Sequence, residues 1–370
     1  METTRNINLM NRAKAQERYL EKLEQTLLFL FHFHSSTPQV IAKLLGTTHS
    51  HGRQFFENLE RRELIQCIRG GRCCPLSPTG RQWILTKSGV TLAEKYLESS
   101  PHFYPTSKNS LHMSQIEHDL GVQFLTAIWV RDGAKITSTD FTERQKSRDS
   151  RAPKLHDAVV NFHGHRVAIE YERGTKSHVE VDQAILRAIE NNGIDYCIWV
   201  VENKHRLKDW ATAINAPKVQ EWIRTSFGKW IKVSSFGGKT DAGMRWIPFI
   251  ARLKLHVMFV DNVQKLGANE QFNKVLENRK TRIGDFELKL QKQWQWGMLE
   301  VSSQGIVRAS LRNEKYNFII FREDSGWFLL NEDDRSRVVP LGFFELLPSL
   351  GYPPPVNVLE YAAYEANLWK

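Results

Sequence analysis

Three carboxylates and one ammonium stand close together along a short stretch of this sequence. Asp157 opens the apolar run of KLHDAVVNF, and Glu170 and Glu172 lie two apart in HRVAIEYE. Both runs have strand composition, and a short turn at Gly164 joins them. Side chains two apart on a strand share a face, so Glu170 and Glu172 point to the same side. Lys176 follows Glu172 by four residues, just past Gly174. A divalent cation such as Mg²⁺ wants hard oxygen ligands, usually one or two carboxylates completed by water and substrate phosphate. An ammonium beside it lowers the pKa of an attacking water and balances charge at a scissile phosphate. Asp157, Glu170, Glu172 and Lys176 therefore form the candidate catalytic set. Asp157 and Glu170 would bind the metal, Glu172 would assist and Lys176 would orient the water. Glu117, on a preceding helical run, is a further candidate ligand. Mg²⁺ or Mn²⁺ is the implied cofactor if this set cleaves, and none is implied if it does not. The competing reading makes Glu170 and Glu172 the outer face of a strand, with Lys176 as a surface partner.

Several elements must hold those residues in place. LHMSQIEHDLGVQFLTAIW has helical spacing, with Leu111, Ile116, Leu120, Phe124 and Ile128 on one stripe. The two strands follow, then the helical run SHVEVDQAILRAIENNG and the apolar strand DYCIWVV. A basic segment, RQKSRDSRAPK, precedes Asp157 and reads either as a loop that tracks a phosphate backbone or as solvated surface. Upstream, SSPHFYPTSKNS holds two prolines and small polar residues, the composition of a linker over residues 99–110.

The N-terminal part has a different pattern. KLEQTLLFLFHF is apolar enough for a buried helix. Ser36 or Thr37 caps a second helix with Pro38 in its first turn, and Gly46 ends it. TTHSHGRQFFENLERRELI restarts as a third, with Phe55, Phe56 and Leu59 inward and His51, Arg53, Gln54, Asn58, Arg61 and Arg62 outward. The strand LIQCI, the Gly- and Pro-rich tip RGGRCCPLSPTGR, the strand WIL and a helix capped by Thr86 complete the pattern. This is the order of a winged helix-turn-helix, whose third helix enters the major groove while the wing touches phosphates. His51, Arg53, Gln54, Asn58, Arg61 and Arg62 are the candidate DNA-binding residues of the helix, and Arg69 and Arg72 those of the wing. A winged helix used only for protein contacts is the alternative.

A helix with Glu, a strand with Asp, a strand with E-x-E, then helix and strand resembles the PD-(D/E)XK nuclease fold. More narrowly, LHMSQIEHDL, LHDAVV, AIEYERGTKS and DYCIWVV look like the replication-relaxation family of plasmids and other mobile elements. Its members pair an N-terminal winged helix with such a domain, and the resemblance covers roughly residues 20–205. It implies DNA processing, mobilisation or replication control, with metal-dependent DNA cleavage where the site is intact. Asp157 matches the metal-binding aspartate and Glu170 the first acidic position of the E-x-K element. Leu155-His156 stands where a nuclease usually has proline before the aspartate, and Glu172 occupies the usual lysine position. Lys176 is placed to act as a migrated lysine. Non-cleaving copies of the fold are the alternative, acting as site-specific DNA-binding regulators or accessory factors that recruit a partner protein.

The formal charge of +10 favours polyanionic partners. Double-stranded DNA is the expected one, along with other proteins of a mobilisation or replication complex. No stretch approaches the roughly 20 apolar residues of a membrane span, and METTRNINLMNRAKAQERYL lacks the apolar middle of a signal peptide. The expectation is a cytoplasmic protein with no membrane partner. Cys67, Cys73, Cys74 and Cys197 are too few and too irregular for a disulfide framework. Residues 206–224 read as helical, NEQFNKVLENRKTRIGDFELKLQKQW as a long charged helix, and KYNFIIFR with WFLLN as a hairpin. Trp294, Trp296, Trp327, Tyr316 and Phe318 read as core or as a base-stacking surface. The expected architecture is α+β and multi-domain. It has a winged helix at 20–100, a restriction-endonuclease-like domain at 110–205 and an α+β region at 206–370.

Overall fold

Capping chemistry sets the first elements of the computed structural model, which describes residues 12–68, 73–97, 104, 115–146, 156–174, 176–191, 193–216, 218–224, 229–233, 243–247, 249–293, 295–302, 305–312, 317–323, 326–331 and 338–342. After α1 (Arg12–Phe33) and β1 (Ser35–Ser36), Thr37 accepts the Val40 N–H and opens α2 (Pro38–Leu44). Gly46, at φ +60°, carries the chain out of that helix in a conformation only glycine adopts cheaply. Thr48 then caps α3 (His49–Arg61), which buries Phe56 and Leu59 and half-buries Phe55. β2 (Ile65–Ile68) and β3 (Gln82–Leu85) follow, and Thr86 caps α4 (Lys87–Glu94) by accepting the Gly89 N–H at 3.1 Å. The three strands pair in the order β1-β3-β2, all antiparallel. Helix, strand, helix, helix, two strands and helix in that arrangement is a winged helix-turn-helix. Arg69 and Arg72 at its wing tip lie outside the described residues.

The next helix, α5 (Ile116–Arg131), is apolar on nearly every side and correspondingly buried, from Ile116 and Leu120 through Ile128 and Trp129. Its Leu120 and Ala127 belong to the same buried cluster as Leu30, Ile41 and Phe56. One core thus runs across the stretch that reads as a linker in sequence. Tyr104, from that stretch, stacks on Phe31 with centroids 4.8 Å apart and donates its hydroxyl to the Leu30 carbonyl at 3.0 Å.

β4 (Lys135–Thr139), α6 (Asp140–Lys146), β5 (Ala158–Phe162), β6 (His165–Glu172), α7 (His178–Glu190) and β7 (Tyr196–Val201) come next. β5 and β6 form a tight hairpin in which Phe162 pairs with His165. Its two loop residues, His163 and Gly164, both have positive φ (50° and 81°), the geometry that suits the strand twist. β4 pairs antiparallel with β5, whereas β6 and β7 are parallel, with α7 between them in sequence. α8 (Lys204–Asn215), β8 (Lys218–Gln220), β9 (Trp222–Arg224), β10 (Trp230–Lys232), β11 (Met244–Trp246), α9 (Phe249–Arg252) and β12 (Leu255–Phe259) follow. β12 completes a five-stranded sheet in the order β12-β7-β6-β5-β4.

The chain then runs through α10 (Val260–Lys265), α11 (Ala268–Gln293), β13 (Gln295–Ser302), β14 (Gly305–Arg312), β15 (Asn317–Glu323), β16 (Gly326–Asn331) and β17 (Val338–Gly342). The last five strands make an antiparallel meander in sequence order, including the expected pairing of β15 with β16. Residues 206–224 do not form one helix. α8 stops at Asn215 because the residue before Pro217 is pushed out of helical conformation, and β8 and β9 take over. The side chains of the five aromatics from Trp294 to Trp327 lie outside what is described.

Two compact units result. The first comprises Met1–Ser177, Glu190–Ala211 and His256–Gln271, and the second His178–Ile189, Thr212–Leu255 and Phe272–Lys370. The winged helix and the strands that carry Asp157, Glu170 and Glu172 share the first unit. Among the described residues, no helix is long and apolar enough to cross a membrane.

Candidate functional site

The β5–β6 register settles where the acids fall. Ala158 pairs with Ile169, so Asp157, one residue before β5, sits beside Glu170. Glu172 follows two residues further along β6. All three are buried, with 5%, 7% and 6% of their surface exposed. Buried carboxylates must be compensated, and each one is. Asp157 Oδ2 accepts the Tyr171 N–H at 2.9 Å and lies 3.4 Å from His118 Nε2. Glu170 Oε1 is 2.8 Å from His156 Nδ1. Lys176 donates to Glu172 through its ammonium.

The acids also sense one another. Burial raises the Glu172 carboxyl above the usual glutamate range; the Lys176 ammonium opposes this, and the charges of Glu170 and Asp157 add to it. Lys176 is further held 5.9 Å from the centroid of Trp210, which stacks on Trp199 at 4.9 Å. Glu172 is thus paired with Lys176 and lies near enough to Glu170 and Asp157 to feel their charge. Glu117 is not part of that group. It pairs with the Arg173 guanidinium, which also reaches Glu202 at 3.5 Å.

His118 and His156 join the site beyond the residues predicted for it. For His156 a signal exists in LHDAVV, a basic side chain directly before an aspartate at a strand head, whereas His118 reaches Asp157 only through packing.

The donor chemistry suits a hard divalent ion, since carboxylate oxygens dominate. Among the described residues, however, no three His, Cys, Asp or Glu side chains are arranged as a ready metal cage. A site of two carboxylates plus water is compatible with Asp157 and Glu170, provided that His156 gives up Glu170.

The second candidate surface is α3. His51, Arg53, Gln54 and Arg61 are exposed and Asn58 is half-buried. His51 Nδ1 lies 2.9 Å from the capping Thr48 hydroxyl, which fixes its ring at the helix start. Arg53 pairs with Glu57 at 3.0 Å, and Arg61 donates to Asn58 and to the Glu57 carbonyl. His51, Gln54 and Asn58 line a shallow groove together with Lys22 of α1 and Thr47. Arg62 is also exposed, donates to the Tyr19 hydroxyl and lies 5.6 Å from its ring centroid.

No family model and no curated protein matches the chain. A crystal structure of a mutant MepR from a multidrug-resistant S. aureus clinical isolate is similar over 28% of this chain and 78% of that one. The identity is 25% and the TM-score 0.19.

Proposed function

We propose that this protein binds double-stranded DNA through α3 and the wing and acts in DNA processing, mobilisation or replication control on a mobile element. The observation that carries the reading is the capped helix-turn-helix with a solvent-facing row of hydrogen-bonding side chains on α3. Such a helix fits the major groove, where Arg, Gln, Asn and His read base edges. The formal charge of +10 adds attraction to phosphates. Resemblance to the replication-relaxation family supplies the mobile-element setting. Mobility-shift titration of duplex DNA tests the docking role, and loss of affinity on substituting Gln54 and Asn58 is the expected result.

On this reading the central strands carry a metal-dependent phosphodiester hydrolase. The order α5, β4, β5, β6, α7, β7, with β5 and β6 antiparallel and β6 and β7 parallel, supports a nuclease-like fold. Asp157 and Glu170 would hold Mg²⁺ or Mn²⁺, which supplies Lewis acidity and an ionised water when bound. Glu172 would assist, and Lys176, fixed between Glu172 and Trp210, would orient the attacking water. Nicking of plasmid DNA in Mg²⁺ should vanish in Asp157→Ala and in Glu170→Ala. Cleavage that survives both substitutions sinks the assignment.

One observation favours a second reading. Each acid already has its own hydrogen-bond partner, so the cluster is satisfied without a metal. The protein would then be a non-cleaving DNA-binding regulator that recruits a partner protein. Duplex binding with no heat of Mg²⁺ or Mn²⁺ uptake in calorimetry would select it.

A further inference from the structure

Three of the five large apolar side chains that stand exposed among the described residues lie on one β-ribbon of the second unit. Ile223, Trp230 and Ile231 are 53%, 42% and 50% exposed. In the β9–β10 register Ile231 is directly opposite Ile223, and Trp230 is opposite Arg224. The two isoleucines therefore share one face of the ribbon and Trp230 occupies the other, so both faces present apolar surface. A two-stranded ribbon gains little stability of its own. This one is tied down at Trp222, whose indole N–H donates to Asp182 at 2.8 Å. Lys232 lies 5.7 Å from the Trp222 ring centroid, so the anchored indole has a cation over it. Single exposed apolar residues need no explanation, but a cluster on an anchored projection marks a contact surface.

Charge selects the partner. Between Trp222 and Lys232 the sequence WIRTSFGKWIK holds Arg224, Lys229 and Lys232 and no acid. Asp182 accepts from the Trp222 indole and feels the Lys232 charge, and Glu221 pairs with Arg245 at 4.0 Å, so the cations of the ribbon still outnumber the acids beside it. An exposed indole flanked by cations matches a nucleic-acid strand, in which phosphates alternate with flat bases. Unpaired bases offer their faces for stacking, and stacked duplex bases do not. We infer that the β9–β10 ribbon is a second nucleic-acid contact, separate from the winged helix, in which Trp230 stacks on an unpaired base while Lys229 and Lys232 meet the flanking phosphates. This surface gives the chain a means of holding a strand released from a duplex, whether or not the acidic cluster cleaves.

Anisotropy titrations of the full chain with labelled oligothymidine and with a mixed-sequence duplex test it. Trp230→Ala should weaken oligothymidine binding about tenfold, the scale of one lost stacking contact, and leave duplex binding unchanged. Trp230→Phe should restore most of the loss, since a ring remains. Lys229→Ala should lower the salt dependence of oligothymidine binding by about 0.7 in the log–log slope. Gln54→Ala on α3 should do the reverse, weakening the duplex alone, which separates failure of this inference from failure of the docking role. The inference is overturned if the wild-type chain does not bind oligothymidine or if Trp230→Ala binds it as tightly as wild type. It is equally overturned if Phe fails to rescue, or if Trp230→Ala loses both ligands alike.

Discussion

His156 Nδ1 lies 2.8 Å from Glu170 Oε1, with both side chains buried. A buried carboxylate next to two others needs a hydrogen-bond partner, and His156 provides it from the position just before Asp157. Removing the partner of a buried hydrogen-bonded group typically costs about 1–3 kcal/mol, because the other is left unsatisfied. His156→Ala should therefore lower the melting temperature clearly. If Asp157 and Glu170 hold a divalent ion, millimolar Mg²⁺ should recover part of that loss and stabilise the variant more than the wild type. Equal Mg²⁺ responses in thermal denaturation would show that no ion takes the place of the imidazole.

Glu172 predicts a pH dependence with a definite sign. Burial, reinforced by the charges of Glu170 and Asp157 and opposed by Lys176, holds its carboxyl above the ordinary glutamate range. Between the ordinary and the raised value the folded chain binds more protons than the unfolded chain. Stability therefore falls as pH rises through that window. Glu172→Gln removes this titration. Denaturation midpoints measured from about pH 4 to pH 8 should show the Gln variant gaining on the wild type as pH rises. A difference constant with pH would contradict the electrostatic coupling of the three acids.

Gly121 lets α5 approach β6. A Cβ at this position would lie 1.9 Å from Tyr171 Cε1 and 2.6 Å from its Cδ1. The same ring directs its hydroxyl to Glu202, and its centroid lies 5.8 Å from that of His118, which in turn touches Asp157. Gly121→Ala should thus cost about 1–3 kcal/mol through overpacking, even though alanine favours helices. In a Tyr171→Ala background most of that cost should disappear. A double-mutant cycle by urea denaturation reads the coupling directly, and additivity would refute the close approach.

Local chemistry made much of the fold legible. Thr86, and Thr37 of the pair Ser36 or Thr37, cap helices as their sequence positions imply, because a cap is decided within one turn. The β5–β6 hairpin is equally local, with Gly164 at its bend. The partners of the acids were not legible. His118 reaches Asp157 from α5, and Trp210 meets Lys176 from α8, so only packing reveals them. Tyr104 was hidden for the same reason. Its neighbours have linker composition, and nothing local shows that its ring fills a gap beside Phe31. The strands β8 and β9 were masked by a helical-looking apolar spacing that Pro217 interrupts.

On the proposed DNA-docking reading, the charged and polar side chains of the N-terminal part fall into three classes with different expected effects on DNA binding. Gln54 and Asn58 face the groove beside His51, so their replacement by Ala should cost about 1–3 kcal/mol on the preferred site and relax sequence preference. Arg69 and Arg72, expected from the sequence to lie at the wing tip, should instead act through phosphates. Replacing either should reduce the slope of log affinity against log salt by about 0.9 while leaving sequence preference intact. Arg62 serves as the internal control. Its guanidinium is engaged by the Tyr19 hydroxyl and ring, so Arg62→Ala should lower thermal stability more than it lowers DNA affinity. Competition titrations over a salt series, run beside melting curves, distinguish the three. If Gln54→Ala and Arg69→Ala change the salt slope and the preference in the same way, α3 is not reading bases and the winged helix docks by charge alone.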